Sequence, residues 1–519
     1  MAEFEGSNKR IAKNSLFLYA RMAVTMLLSL LTARIVLQAL GEVDFGIFNI
    51  VSGCVTMFTF LNGALSSSAG RFITFELGRN DMKALNKSFN ASIVVHIVLA
   101  LIIVVLSETV GLWLLADKLI IPENRMFSAQ WAYQISILVV VINILQVPFG
   151  ALVVAHERFN TYAYLSIFDV GIRLILILLL TTMPYDKLIL WSLMTMGSTL
   201  IYAGFYVIYC RKNFVECRFR PHKDVGLYKK MLSYSSWNVV SGLSGMLQNQ
   251  GMSIVLNLFY GPAIIAARGI SYQVQGIISQ FSGNFTAASN PQIIKYYAAD
   301  KIKEMMNLVF FSGCLAFYLS WLFTLPVCLE LNFVLKLWLG SFPDYTISFT
   351  VLTLVLGLIF SIKTSRAAAV SATGKLKAIN LCVCSILCLS FPLGYICLKI
   401  GLQPYWVWII TIIVTLIGEV LASIILRRYV EYSVRDYWLN VYGRCTLVAV
   451  VSLLIPLLVR FSLSEGFLRL IIVSAASVLS IGVTVYYLGM NRGNRKTFNM
   501  YVNKYLTSIK SKLRFAIGK

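Results

Sequence analysis

Charge is what this 519-residue chain has least of: 13% of its residues are charged and 58% are hydrophobic. No soluble protein of that length hides so much apolar surface, so the class is integral membrane. Histidine is nearly absent, with only His96, His156 and His222. The cysteine cluster LCVCSILC has none of them nearby, and of ten cysteines only Cys217 lies clearly outside an apolar run. These thiols read as small buried side chains, and neither a metal site nor a disulfide framework is expected. A phosphate-binding glycine-rich loop is missing, which argues against direct use of ATP, and no cofactor is expected. No cleavable signal peptide is expected either, because the N-terminus MAEFEGSNKRIAKN is polar and the first apolar run is too long.

What the chain does have is apolar runs, each of about 20 residues or more. Fourteen are expected to span a bilayer: 15–40, 45–74, 88–115, 126–154, 161–182, 188–210, 232–259, 264–294, 305–329, 346–374, 378–398, 405–426, 438–459 and 470–489. The net charge of +23 sits between these runs, which fits the positive-inside rule and not nucleic-acid binding. Of the 45 Lys and Arg, 30 fall in the termini and even-numbered connections, 7 in the odd-numbered connections and 8 within spans. Both termini are therefore expected in the cytoplasm, with the chain a multi-pass protein of the inner membrane. The outward connections are short, the longest at 330–345, which leaves no extramembrane domain to carry chemistry. The basic stretch 211–230 reads as a linker lying on anionic lipid. The tail at 498–513 spaces Phe498, Val502, Leu506, Ile509 and Leu513 as an interfacial amphipathic helix.

An internal repeat runs through the chain. LNGALSSSAGRFITFELGRND at 61–81 lies over FSGNFTAASNPQIIKYYAADK at 281–301 without gaps. IVLQALG at 35–41 lies near IVLNLFYG at 254–261, and ALVVAHERFN at 151–160 matches AVSATGKLKA at 369–378 weakly. Three matches at nearly one offset argue for duplication of a six-span unit. An even number of spans gives parallel repeats, two lobes about a central cleft. The expected fold is all-α and polytopic: an N-terminal lobe at 1–220, a C-terminal lobe at 221–430, and two extra helices with a basic tail at 431–519.

Polar residues within the spans form rows. On a helical wheel Asn49, Gly53, Thr56, Gly63, Ser67 and Arg71 share one face of the second span. Arg268, Tyr272, Gln275, Ser279, Ser282 and Thr286 do the same on the eighth, its partner in the repeat. The seventh adds Asn238, Ser241, Gly245 and Asn249. Small polar residues also mediate helix packing in membranes, which is the plainer reading for the glycines. Rows that each carry an arginine favour a water-filled cavity, since a charge within a span costs at least ~2.5–3.5 kcal/mol. Asp169 and Arg173 are four apart and pair within their own helix. Arg71, Lys363, Arg366 and Arg444 lie within snorkelling reach of an interface, and Arg21 about two turns in is ambiguous. Arg34 and Arg268 lie deeper, and Asp44 in the first outward turn is placed to pair with Arg34.

The opening NSLFLYARMAVTMLLSLLTARIVLQALGEVDFGIFNIVSG, followed by FLNGALSSSAGRF, resembles the start of bacterial O-antigen and capsular polysaccharide flippases. These belong to the multidrug/oligosaccharidyl-lipid/polysaccharide exporter superfamily. The fourteen spans, two of them outside the repeat, are similar to the peptidoglycan lipid-precursor flippase of that superfamily. The resemblance implies a flippase, not an enzyme, carrying an undecaprenyl-diphosphate-linked oligosaccharide from the inner to the outer leaflet by alternating access. It implies a cationic cavity at Arg21 and Arg34 by motif position and at Arg268 by helix, with Asp44 of the first outward turn as a gate residue; Arg71, by its place at the cytoplasmic mouth, is the second expected gate residue. Asn49, Thr56, Ser67, Asn249, Tyr272, Gln275 and Ser279 then line the cavity. The expected partners are the lipid-linked substrate, membrane lipid and the polysaccharide assembly enzymes, with the chain itself a monomer.

The chemistry is consistent with that expectation. Guanidinium groups bind phosphate oxygens bidentately and stay charged at any relevant pH. With the interior negative, outward movement of two negative charges is favoured by about 4–5 kcal/mol per 100 mV. A multidrug cation exporter of the same superfamily needs acids in its cavity, whereas embedded bases outnumber acids here. A membrane glycosyltransferase, polymerase or ligase usually needs acidic or histidine catalysts on a sizeable outer loop, and none is found.

Overall fold

The structure is a computed structural model that describes residues 2–78, 81–156, 158–218, 224–373 and 376–491, with 493, 495 and 499. Side chains are described from residue 24 onward, apart from scattered positions within helices. Most of the expected tail helix at 498–513 lies outside these residues. Every element among the described residues is helical, and the helices occupy the apolar runs. Among the described residues ten stretches are long and apolar enough to cross a membrane, against the fourteen expected, in part because Val24–Thr74 runs through both spans of the opening hairpin. Large apolar side chains such as Leu101, Leu138, Leu458 and Leu479 are more than half exposed, the surface that lipid covers.

Two turns at the repeat offset share a backbone conformation. Gly41 breaks helix Ala2–Thr56 at φ 76°, ψ 173°, and Gly261 separates Met252–Tyr260 from Pro262–Ala298 at φ 73°, ψ −168°. The two glycines stand at the same offset as the longest sequence match. Both occupy the positive-φ region where a Cβ is strained, so each hairpin turns on the residue type that allows it.

The chain packs as two units. The first comprises Met1–Ile277, Leu335–Thr353 and Lys375–Ala422. At one end of it a single arginine clamps three connections. Arg125 donates through Nε to Asp44 Oδ1 (2.8 Å) and through Nη1 to Asp186 Oδ2 (2.6 Å). Asp186 also accepts the Ser128 hydroxyl (2.9 Å) and caps helix Lys187–Asn213 through the Leu188 and Ile189 amides. Burial works to raise the Asp186 pKa; the hydrogen bonds from Arg125, Ile189 and Ser128 outweigh it, and the carboxyl titrates below its ordinary value. At the far end of Met126–Ala155, His156 Nε2 meets the buried Glu216 (2.5 Å) and stacks on Phe214. That pair closes an apolar core of Phe89, Leu152, Val153 and Tyr206.

The second unit comprises Ile278–Val334, Leu354–Gly374 and Ser423–Lys519. Here the last two long helices, Arg444–Ser462 and Phe467–Thr484, pack on Ile302–Leu329. Leu325, Leu329, Val473 and Ile481 form the core. The Trp321 indole donates to the Ser452 hydroxyl (2.9 Å), and the Ser480 hydroxyl donates to the Ser452 carbonyl (2.8 Å). Beside this core Arg469 holds the fully buried Glu330 carboxylate at 2.8 Å.

Candidate functional site

Arg268 lies two turns into helix Pro262–Ala298 and is only 5% exposed. Its Nε donates to Ser253 Oγ (2.8 Å) and its Nη2 to the Asn249 carbonyl. That carbonyl lies in the wide turn Leu247–Gly251, where the i→i−4 ladder of the seventh span is interrupted. The guanidinium lies over the Tyr272 ring at 4.4 Å and the Trp408 ring at 5.4 Å from the centroids. Trp408 is held in turn: it stacks on Phe349 and donates through Nε1 to Thr353 Oγ1 (2.8 Å). Thr353 reaches Ser271 (3.3 Å), whose hydroxyl returns to the Arg268 carbonyl (2.7 Å).

Arg268 is thus a buried cation fixed by a hydroxyl, a carbonyl and two aromatic faces. It forms no ion pair among the described residues, and its Nη1 makes no hydrogen bond among them. Burying a charge without a counter-ion is costly. Neutral partners that leave part of the fork free are what an anion site requires, with the anion supplying the missing charge.

The other expected residues distribute as follows. Tyr272 is part of the Arg268 box, and Gln275, one turn further along, is half-buried with no hydrogen bond among the described residues. The Asn249 side chain is exposed beside its own bonded carbonyl. Ser279 falls on the same helix within the second unit, where its carbonyl accepts the Ser282 hydroxyl (3.2 Å). Arg34 is exposed and stands apart from Arg268. Its Nη1 reaches the Leu337 carbonyl (3.5 Å), and Gln38 reaches the Leu339 carbonyl (3.4 Å). Both carbonyls belong to the last turn of the short helix Leu331–Leu339, where unpaired carbonyls favour a cation. The two arginines ride on helices that meet close by: Gln273 donates to the Ser29 carbonyl (3.1 Å) and Trp338 to the Leu30 carbonyl (2.7 Å). Asp44 is bonded to Arg125, not to Arg34, because two carboxylates from neighbouring turns converge on that one guanidinium. The side chains of Arg21, Ser67 and Arg71 lie outside the described residues.

Asn49 and Thr56 lie in a packing seam. Asn49 presses on Gly269, and Thr56 accepts from Gln250 (3.4 Å). A Cβ on Gly53 would come within 2.8 Å of Gln250 Oε1, and one on Gly46 would collide with the Pro262 carbonyl oxygen. Further along, Phe60 meets Gly242 and the Ser68 hydroxyl donates to the Met231 carbonyl (3.2 Å). The second span therefore packs against the seventh from Gly53 to Ser68, and against the start of the eighth at Gly46 and Asn49. One more contact closes this hairpin end. The fully buried Asn257 accepts the Ile120 amide (2.8 Å) and donates to the Ile120 carbonyl (3.4 Å).

Sequence reasoning missed Ser253, Thr353, Trp408 and Asn257. Only Ser253 carried a signal, lying four residues after Asn249 on the polar row of its span.

A family model described as polysaccharide biosynthesis protein matches residues 11–297. No curated protein matches the chain. Solved structures do. An inward-facing multidrug resistance MATE family transporter of the MOP superfamily is 13% identical, covering 79% of this chain and 97% of its own, at TM-score 0.67. Lipid II flippase MurJ in an inward closed conformation is 13% identical, covering 91% and 98%, also at 0.67. A MOP superfamily transporter from Pyrococcus furiosus with a binding pocket of reverse polarity is 15% identical, covering 83% and 96%, at 0.60. At these identities the likeness carries the fold, which is that of MOP superfamily transporters.

Proposed function

Since the chain belongs to the polysaccharide biosynthesis protein family, we propose that it is a flippase for an anionic lipid-linked oligosaccharide, with Arg268 as the anchor for the phosphate. The observation that carries this reading is the buried guanidinium without a carboxylate. Ser253, the Asn249 carbonyl, Tyr272 and Trp408 hold the group in one orientation before any substrate arrives. Pre-organisation of this kind removes most of the ordering cost from the binding step. Nη1 is left to meet a phosphate oxygen, and the amides of Gln275 and Asn249 suit glycan hydroxyls.

The substrate of this reading is an undecaprenyl-diphosphate oligosaccharide whose polyprenyl tail stays in lipid. The protein sits in the inner membrane with both termini in the cytoplasm. Arg34, exposed near the end where Asn257 grips Ile120, serves as a second cation, and Arg21 and Arg71 extend the charged path. The seam of Asn49, Gly53 and Thr56 belongs to the closed arrangement of that end and parts in the other state of the cycle. No bond is made or broken in the substrate, and the membrane potential favours export of the negative charge. A cation in the site disfavours the multidrug alternative, because an organic cation would be repelled.

The test is complementation of a flippase-deficient strain with Arg268→Ala and Arg268→Lys, scored by the lipid-linked glycan accumulating in the inner leaflet. Arg268→Ala is expected to abolish export with normal insertion. Arg268→Lys should restore little, because an ammonium neither forks nor stacks. Wild-type export by Arg268→Ala would overturn the anchor. Normal glycan export in a deletion strain newly sensitive to cationic drugs would favour the multidrug reading.

A further inference from the structure

The second unit holds a cavity of about 600 Å³ of its own, lined by Ile302–Leu329, the start of the thirteenth span, Gly489, Met490, Asn491 and Gly493. Its polar side chains come from Asn307, Tyr318, Asp436, Asn440 and Arg444. Asp436, Asn440 and Arg444 are spaced four and four, one face of a continuous helical stretch that passes through the wide turn Trp438–Gly443. Arg444 Nη2 donates to Asn440 Oδ1 (3.2 Å), which leans the guanidinium toward the start of the helix. Tyr318 donates to the Gly489 carbonyl (3.3 Å) and ties the opposite wall.

The charges decide what fits. Arg444 and Asp436 line one cavity, yet they do not pair with each other, and neither pairs with any other described residue. Unpaired opposite charges on one helix face collapse onto each other at i, i+4. Asp436 and Arg444 are instead eight apart, two turns, and Asn440 on the turn between them accepts the guanidinium on its Oδ1. The cavity therefore offers a cation at one end, an anion at the other and an amide between. Its place is fixed as well. It lies where the thirteenth span begins, the fourteenth ends and the ninth begins, the level at which chains leave hydrocarbon for lipid headgroups.

We infer that this cavity holds the phosphoethanolamine headgroup of a membrane phospholipid, its phosphate on Arg444 and its ammonium on Asp436. A purely anionic headgroup leaves Asp436 facing negative charge. A choline headgroup presents methyl groups where the carboxylate needs N–H donors. The acyl chains lie along the exposed apolar faces of the last two helices, among Leu447, Leu454 and Leu479.

The experiment uses the purified full chain and reads thermal unfolding with native mass spectrometry against phosphatidylethanolamine, phosphatidylglycerol and phosphatidylcholine. Phosphatidylethanolamine is expected to raise the melting temperature and stay bound, with the other two clearly weaker. Arg444→Gln and Asp436→Asn should each weaken its binding about tenfold, the loss of one charge-assisted hydrogen bond. Soluble phosphoethanolamine should compete only weakly, since it lacks the acyl chains. Equal stabilisation by phosphatidylglycerol, or full binding by Asp436→Asn, would overturn the inference in favour of a plain phosphate site. Stabilisation by soluble phosphoethanolamine without any by the lipid would also overturn it. The lipid panel on the unaltered chain decides the matter even if a variant fails to fold.

Discussion

At the scale of single residues, the chain treats its buried charges in two ways. Glu330 and Arg469 pair, both guanidinium donors meeting Oε2 of a carboxylate that is fully buried, with the guanidinium mostly so. Removing Arg469 strands a buried carboxylate, so Arg469→Ala is expected to destabilise the second unit by about 3–5 kcal/mol. Replacing both residues with apolar ones of similar size should recover most of that loss. Thermal unfolding of the single and double variants checks this, and equal melting of Arg469→Ala and wild type would refute it. Arg268 is the opposite case, a buried charge held by neutral partners. That residue was legible in the sequence because a charge within a span is rare and the helical period set it beside Tyr272. Trp408 and Thr353 were not, since nothing local marks a tryptophan that will turn its face to an arginine 140 residues earlier. The partner of Asp44 was misjudged for a similar reason. Arg34 is near in sequence, but Arg125 is where the turns converge.

At the scale of elements, the boundaries were legible because long apolar runs admit few alternatives in lipid. The repeat was legible as sequence matches at one offset, and Gly41 and Gly261, 220 residues apart, share one backbone conformation. The direction of the polar rows was harder. A row of small and polar residues looks the same whether it lines water or lets a neighbour approach, and for Asn49, Gly53 and Thr56 the neighbour is the seventh span and the hairpin beyond it. Gly46 is where this seam is tightest, against the Pro262 carbonyl. Gly46→Ala should therefore pry the two hairpins apart and cost about 1–3 kcal/mol. Labelling of Asn49→Cys by a water-soluble thiol reagent should rise in that background. Unchanged labelling together with unchanged melting would mean the seam yields without consequence.

At the scale of the whole molecule, the asymmetry of Lys and Arg across the connections is its largest electrostatic feature. It predicts a C-terminal fluorescent-protein fusion that glows and a C-terminal alkaline phosphatase fusion that is inactive. Asp344→Cys, in the longest odd-numbered connection, should react with an impermeant thiol reagent in intact cells. The reverse pattern would invert the topology. The grip of Asn257 on Ile120 has a consequence of its own. Separating them strips partners from four groups at once, two on the side-chain amide and two on the backbone. Left dry, each costs about 1–3 kcal/mol. In the flippase cycle proposed above, parting this end therefore calls for water on all four groups. On that reading osmotic stress is a lever on the rate of the step.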